Sequence, residues 1–490
     1  RGLGDVYKRQ EMVFNSLTFA IFFAIVCTLL ALTNPERIKK LLPCPVIKLR
    51  HSILLAASYV FYGWWNWKCC LLMLGLSLVA YVCAEAYESR GKKFWVVLGV
   101  VAPLIILGIF KYFNFFVDSF CTAFGIERSG GLNILLPVGV SFYTFQSLSY
   151  TIDVYRGKIA AEKSFMNVAL YIAFFPQLVA GPIVKAGEYI PQLYEDRNIS
   201  LDNFQLGIQY FVLGLFKKIV IADNISVFVD AVYKNPVEFH ALTVLLAAAA
   251  YSVQIYCDFS GYSDMAVGCA KCLGYDLARN FNLPYISRNV TEFWKRWHIS
   301  LSTWLMEYLY IPLGGNRKGS LRRYINLMLT MLIGGLWHGA AWTFVAWGGL
   351  HGLALCVHKL FMKLPRKREK RESGFTAALC VLATFCFVSL CWVFFRAGDF
   401  ATAMKVFRAI FTWQQGLVHI SSWALFGLGC LALGELAAII RSRKRGLPAE
   451  GFYPLVRLDT ISGLTVFFVF TGLTLGLAYT GENPFIYFQF

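Results

Sequence analysis

Charge is scarce in this chain. Only 15% of its 490 residues are Asp, Glu, Lys or Arg, whereas 58% are hydrophobic and 17% aromatic, too apolar a balance for a soluble globular surface. Also missing is a cleavable leader: the head "RGLGDVYKRQE" before Met12 is polar, with neither an apolar core nor a small-residue cleavage site. Residues 1–11 read as a non-native head, with Met12 as the natural start. Acidic residues number 28 against 46 Lys and Arg, a formal charge of +18. No soluble basic domain gathers that charge to hold a duplex, so a nucleic-acid partner is excluded.

Fourteen cysteines are present without a disulfide framework. They lie mostly inside apolar runs, as Cys27, Cys83, Cys380, Cys386 and Cys391 do, where cysteine behaves as a small hydrophobe. The one CxxC, Cys269 and Cys272, lacks a second pair or a nearby histidine, so helix packing is favoured over half a zinc site and no metal is expected. No repeat of fixed period occurs, nor a matched pair of broken segments in two halves, which lowers the case for an inverted-repeat transporter.

What is present is a series of apolar runs near bilayer length, at 12–32, 94–117, 241–257, 324–337, 339–361, 375–395, 418–440 and 461–480. Shorter or more broken runs fall at 51–66, 69–86, 134–155, 168–184 and 205–229. The expected fold is an all-α polytopic membrane protein with about 11 transmembrane helices, plus re-entrant and interfacial helices, enclosing a central tunnel. It forms a single membrane domain over 12–490, divided into N-terminal helices (12–133), a core (134–362) and C-terminal helices (363–490). Basic clusters at Arg37/Lys39/Lys40, Arg90/Lys92/Lys93, Arg317/Lys318/Arg322/Arg323, 363–371 and 441–445 read as positive-inside loops. That orientation turns "RAGDF" and the amphipathic segment 400–413 outward.

Polarity concentrates between about Pro176 and His351, so function is expected there. The Gly- and Pro-broken pieces 174–193 and 308–320 cannot face acyl chains, and are expected to line a protein-enclosed cavity or lie at the interface. The stretch "GGLWHGAAWTFVAWGGLHG" (334–352) buries His338 and His351 among apolar and aromatic residues. On one straight helix they would stand about 20 Å apart along the axis and about 220° around it, with separate roles. His351 and His358, seven apart, would stand about 10 Å apart, too far to chelate one metal.

A buried imidazole at 338, walled by Trp337 and given room by Gly334, Gly335 and Gly339, is disfavoured in its charged form and suited to be a general base for a hydroxyl. The competing reading is a histidine that only bonds a neighbouring helix. His298 sits in "EFWKRWHISLSTW", whose tryptophans, Trp294 among them, and basic residues resemble an interfacial helix; composition favours an interfacial histidine there. Asp258 and Asp264, in "QIYCDFSGYSDMAVG", are carboxylates at a depth where they face a cavity or pair with a base, and both are taken as substrate-binding candidates. Lys111, Asp153, Lys217 and Lys218 raise the same question more weakly, because flanking lysines can snorkel. The loop "PLGGNRKGS" has Ser320 where a phosphate-loop lysine belongs, so nucleotide hydrolysis fails, although Arg317 and Lys318 could still meet the phosphates of a thioester carrier.

Taken together, residues 258–317 and 334–352, with "LVAGPIVKAGEYIPQL" and the ending "FIYFQF", resemble the membrane-bound O-acyltransferases over nearly the whole chain after Met12. The nearest branch is the bacterial alginate O-acetyltransferase group, followed by the teichoic-acid D-alanyl transferases. The resemblance implies a bacterial inner-membrane enzyme with catalytic histidines at His338 and His298. Trp337, Trp294, Asp258, Asp264, Arg317 and Lys318 are the substrate-binding candidates. It implies no bound cofactor and an acyl thioester donor, acetyl-CoA or an acyl carrier protein. The acceptor is a hydroxyl of an exported polysaccharide, often with an extracytoplasmic SGNH-esterase-like partner. Met306 and Glu307 stand where many relatives carry Arg-Asp, which removes a cation from that position. Geometrically, a helix rising about 22 Å from Arg323 would put His338 well inside a layer about 30 Å thick, with His298 near the inner surface and a tunnel between them. Alternatives are D-alanyl transfer to teichoic acid, a transporter or flippase, and an inactive scaffold for biosynthesis partners.

Overall fold

The computed structural model describes residues 12–33, 46–127, 131, 136–195, 197, 199–363, 374–445, 453–481, 483 and 485–486. The head 1–11, the cluster Arg37/Lys39/Lys40, the cluster 363–371 except Lys363, and the ending after Ile486 lie outside the described residues.

Among the described residues, six helices are long and apolar enough to cross a membrane: Lys48–Arg90, Lys93–Phe124, Ala241–Cys272, Trp342–Phe361, Gly374–Arg396 and Ser422–Arg441. Two shorter apolar helices, Leu17–Leu32 and Ile461–Gly476, occupy the first and last of the runs read from sequence. Among the described residues no β-strand occurs, only an isolated bridge between Phe239 and Leu417. The all-α membrane class therefore holds. Polar residues interrupt apolar runs within helices. The 51–66 and 69–86 runs, for instance, are arms of one helix interrupted at Asn66, whose backbone is extended.

Contacts divide the chain into two compact units. The first comprises Arg1–Leu213, Tyr262–Ala278 and Pro454–Leu464. Its interior includes the helix Val140–Tyr155, buried along almost its whole length, and the broken piece after it. That piece does what lipid requires of irregular backbone: Phe174, Phe175 and Leu178 are buried, Gln177 Nε2 donates to the Tyr171 carbonyl at 2.7 Å, and Tyr171 donates its hydroxyl to the Val184 carbonyl at 3.0 Å. Cys269 and Cys272 are buried helix-packing residues. A Cβ added at Gly207 would lie 2.5 Å from the Cys272 sulfur, so the glycine is what lets the two helices meet.

The second unit, Gly214–Gly261, Arg279–Tyr453 and Thr465–Phe490, carries every histidine of the polar middle third. Its centre is the pair Gly319–His338 and Trp342–Phe361, joined by the three residues Gly339 to Ala341. Gly335 and Gly348 face each other across this pair, and a Cβ on either would come within 2.3 Å of a backbone carbonyl oxygen of the opposite helix. Small residues at that crossing allow backbone-to-backbone approach, the usual route to helix association in lipid. The amphipathic segment 400–413 forms the helix Phe400–Phe411. Asp399 caps it by accepting from the Thr402 amide at 2.6 Å, and Ala403, Val406, Ala409 and Ile410 form its buried stripe.

Candidate active site

His338 is the last residue of its helix, and the chain leaves it in extended conformation at Gly339. A side chain at 339 would force Phe344 to shift, because its Cβ would stand 2.1 Å from that ring. The break between the helices turns the chain back, so the straight-helix geometry expected for His338 and His351 is wrong. One indole, Trp347, touches both imidazoles, with ring centroids 5.1 Å from His338 and 5.0 Å from His351.

His298 does not lie on the protein surface. It is fully buried, and its ring centroid lies 6.2 Å from that of His338. The expected separation, with one histidine near the surface and the other deep, is corrected accordingly. The cause is a loop that composition does not reveal. Residues 280–282 run beside the His298 turn, with the Asn282 amide donating to the Arg296 carbonyl and the Ile299 amide to the Asn280 carbonyl, each at 2.9 Å. This holds His298 at φ 42°, a left-handed conformation that is strained for a residue with a side chain and costs on the order of 1–3 kcal/mol.

The protonation pattern of His298 follows from its partner. Asn280 Oδ1 accepts from the Ser300 amide at 3.3 Å and the Ser300 hydroxyl at 2.9 Å, which fixes it as the carbonyl end of the amide. His298 Nδ1, 3.1 Å away, therefore donates to it, and the neutral ring carries its lone pair on Nε2. An imidazole in this state is a base. Around the two histidines stands an aromatic wall: Trp337 at 5.1 Å from His338 and 6.0 Å from His298, Phe395 at 5.3 Å from His338, and Phe259 edge-on to His298 at 4.6 Å. Such a setting excludes water and strengthens any charge interaction formed inside it.

The remaining sequence candidates separate. Trp294, half-buried, donates its indole N–H to His351 Nδ1 at 3.3 Å and belongs to the histidine cluster. Asp258 takes the pairing outcome: it accepts from Lys218 Nζ at 2.6 Å and from the Ile486 amide at 2.9 Å. Lys218 also donates to Asp223 at 2.7 Å, and Asn483 Nδ2 donates to Asp223 at 2.8 Å. This buried network ties the 483–486 segment to the turn Phe216–Ala222. Asp264 is half-buried in the first unit. Arg317 and Lys318 are exposed in the loop before the His338 helix, a full helix length from its histidine, and the 308–320 piece ends at the surface. Sequence reasoning passed over Asn280, Trp347 and Phe395. The only available signal for Asn280 was a polar amide in "ARNFNLP", and tryptophan in an apolar run reads as packing.

A protein-family model of the membrane-bound O-acyltransferases matches residues 158–391, which hold both histidines of the site. The probable alginate O-acetylase AlgI of Pseudomonas aeruginosa is 41% identical over 87% of this chain and 80% of its own length. This chain belongs to the membrane-bound O-acyltransferase family. The peptidoglycan O-acetyltransferase of Helicobacter pylori is 40% identical over 73% of each chain. A teichoic acid D-alanyltransferase of Bacillus subtilis is 27% identical over 55% of this chain and 70% of its own. A membrane-bound O-acyltransferase is an enzyme of acyl transfer, and the buried neutral imidazoles of this one are suited to that work.

Proposed function

We propose that this enzyme moves an acetyl group from a cytoplasmic thioester donor to hydroxyls of an exported cell-surface polysaccharide. The observation that carries the reading is the pair His338 and His298, 6.2 Å apart in a closed aromatic cage on which two separate breaks of the backbone converge. His338 takes the proton of the acceptor hydroxyl as its oxygen attacks the thioester carbonyl. The same proton leaves on the departing thiolate. His298, fixed by Asn280, shares the cage and holds a second basic nitrogen next to the reacting groups.

About 11 crossings and a tunnel complete the proposal, with the tunnel admitting the carrier arm from the inner side of a bacterial plasma membrane. Arg317 and Lys318, exposed at one end of the His338 helix, meet the phosphates of coenzyme A or an acyl carrier protein there. An extracytoplasmic SGNH-like protein is the proposed partner where transfer needs a second step. The alginate O-acetylase of Pseudomonas and the peptidoglycan O-acetyltransferase of Helicobacter support acetyl as the group and a polysaccharide as the acceptor. Mass spectrometry of surface polymers from a strain lacking the gene tests this. Loss of polymer-linked acetate is expected, and loss of D-alanine esters with acetate intact would contradict it.

A further inference from the structure

A buried imidazole with one nitrogen occupied can do only what the other nitrogen allows. His351 is fully buried, and its Nδ1 lies 3.3 Å from the indole nitrogen of Trp294. An indole nitrogen only donates, so Nδ1 must present its lone pair and the neutral ring must carry its proton on Nε2. That N–H is closed to solvent and meets no acceptor among the described residues. The same holds for the indole N–H of Trp347, one helical turn earlier, whose ring touches His351 at 5.0 Å and His338 at 5.1 Å. A buried donor left without an acceptor costs about 1–3 kcal/mol. Two such donors occupy successive turns of one helix beside the proposed base.

Packing alone accounts for the rings but not for the donors. Trp347 stacks on Trp392 at 5.4 Å and 20°, and His351 lies parallel to Phe293 at 6.0 Å, contacts that phenylalanine would supply without burying an N–H. Nor would packing require Trp294 to set the tautomer. Donors without acceptors suit a place where negative charge appears only during reaction.

We infer that the Nε2–H of His351 and the Nε1–H of Trp347 receive the oxyanion formed during acyl transfer, an assignment that rests on the acyl-transfer reading above. As His338 removes the proton of the acceptor hydroxyl, the C–O bond forms and the carbonyl π pair moves to oxygen, where the two N–H groups meet it. On collapse that pair returns, the C–S bond breaks, and the thiolate takes the proton from the His338 imidazolium. A base nitrogen and an oxyanion donor at opposite ends of this chain of atoms stand roughly 6–9 Å apart, two hydrogen bonds and two C–O bonds. Two imidazoles whose centroids each lie about 5 Å from the Trp347 ring are at most about 10 Å apart, which leaves that spacing within reach. Trp294 is the positioning residue that holds His351 in its donor form.

The test uses the full-length enzyme in liposomes with Trp347→Phe, which keeps the ring and removes the N–H, and with His351→Phe and His351→Gln. For Trp347→Phe and His351→Phe, kcat falls about 10²–10³-fold with the donor KM nearly unchanged. Affinity for a trifluoromethyl ketone that mimics the tetrahedral adduct falls in parallel, while that for a non-reactive thioether analogue of the donor stays. His351→Gln, with an amide N–H, recovers part of the loss. Full kcat and unchanged ketone affinity in both phenylalanine variants would overturn the assignment. Nitrogen-15 NMR of His351 reads the tautomer whether or not the protein turns over: proton on Nε2 supports the inference, proton on Nδ1 ends it. If the wild-type protein transfers no acyl group, the functional reading fails by itself, and the tautomer and ketone affinities still decide the donor assignment.

Discussion

Asn280 fixes the state of His298: one carboxamide oxygen takes the Nδ1 proton at 3.1 Å while the Ser300 amide and hydroxyl hold that oxygen in place. Eighteen residues apart in sequence, the two act as one unit, and the basicity of His298 Nε2 depends on it.

Asn280→Ala should therefore lower kcat by about 10–100-fold, because the ring is freed to rotate and to exchange tautomers. Asn280→Asp keeps an acceptor at the same place and should retain more activity than the alanine variant. Steady-state acetyl transfer by the two purified variants checks this, and equal rates for Ala and wild type would dismiss the orienting role.

Gly339→Ala places a methyl group 2.1 Å from the Phe344 ring. Overpacking of this kind costs about 1–3 kcal/mol and displaces the residue next to His338, the proposed base. Thermal unfolding in detergent should show a lower midpoint. Combining Gly339→Ala with Phe344→Leu should restore part of it, whereas an unaltered midpoint in the single variant would show that Phe344 yields freely.

Lys218 lies between Asp223 and Asp258, with all three side chains no more than 6% exposed. Lys218→Met leaves two carboxylates facing each other without a cation and should destabilise the protein by roughly 3–5 kcal/mol. Lys218→Met with Asp258→Asn removes one charge of each sign and should recover a measurable share. Expression level and unfolding midpoint of the single and double variants report this, and a double variant worse than the single would contradict the pairing account.

Much of the fold could be read from the chain, because apolar runs of bilayer length have few other uses. The helices over 241–257, 339–361, 375–395 and 418–440 appear where hydropathy places them. The buried broken piece at 174–193 follows from the demand that backbone polar groups be satisfied away from lipid. His338 and Trp337 were legible because glycines flank a histidine in an otherwise apolar run. His298 was misplaced because periodicity carries no record of a distant loop: tryptophans and basic residues describe an interfacial helix equally well until residues 280–282 are laid against it. The distance between His338 and His351 failed for a related reason. A straight helix was the simplest reading of residues 338–351, and three residues, Gly339 to Ala341, undo it. Asp258 and Lys218 were both visible in sequence, but forty positions separate them and only the fold pairs them.

The central claim is that a neutral imidazole at position 338 accepts the proton of the attacking hydroxyl. Its most direct test is single-turnover acetyl transfer from a labelled thioester to a soluble polysaccharide acceptor, comparing wild type with His338→Ala in matched liposomes after confirming equal insertion and unfolding midpoint. A loss of about 10²–10⁴-fold in the transfer rate is predicted for the variant, with donor binding preserved. Transfer by His338→Ala at the wild-type rate would contradict the account.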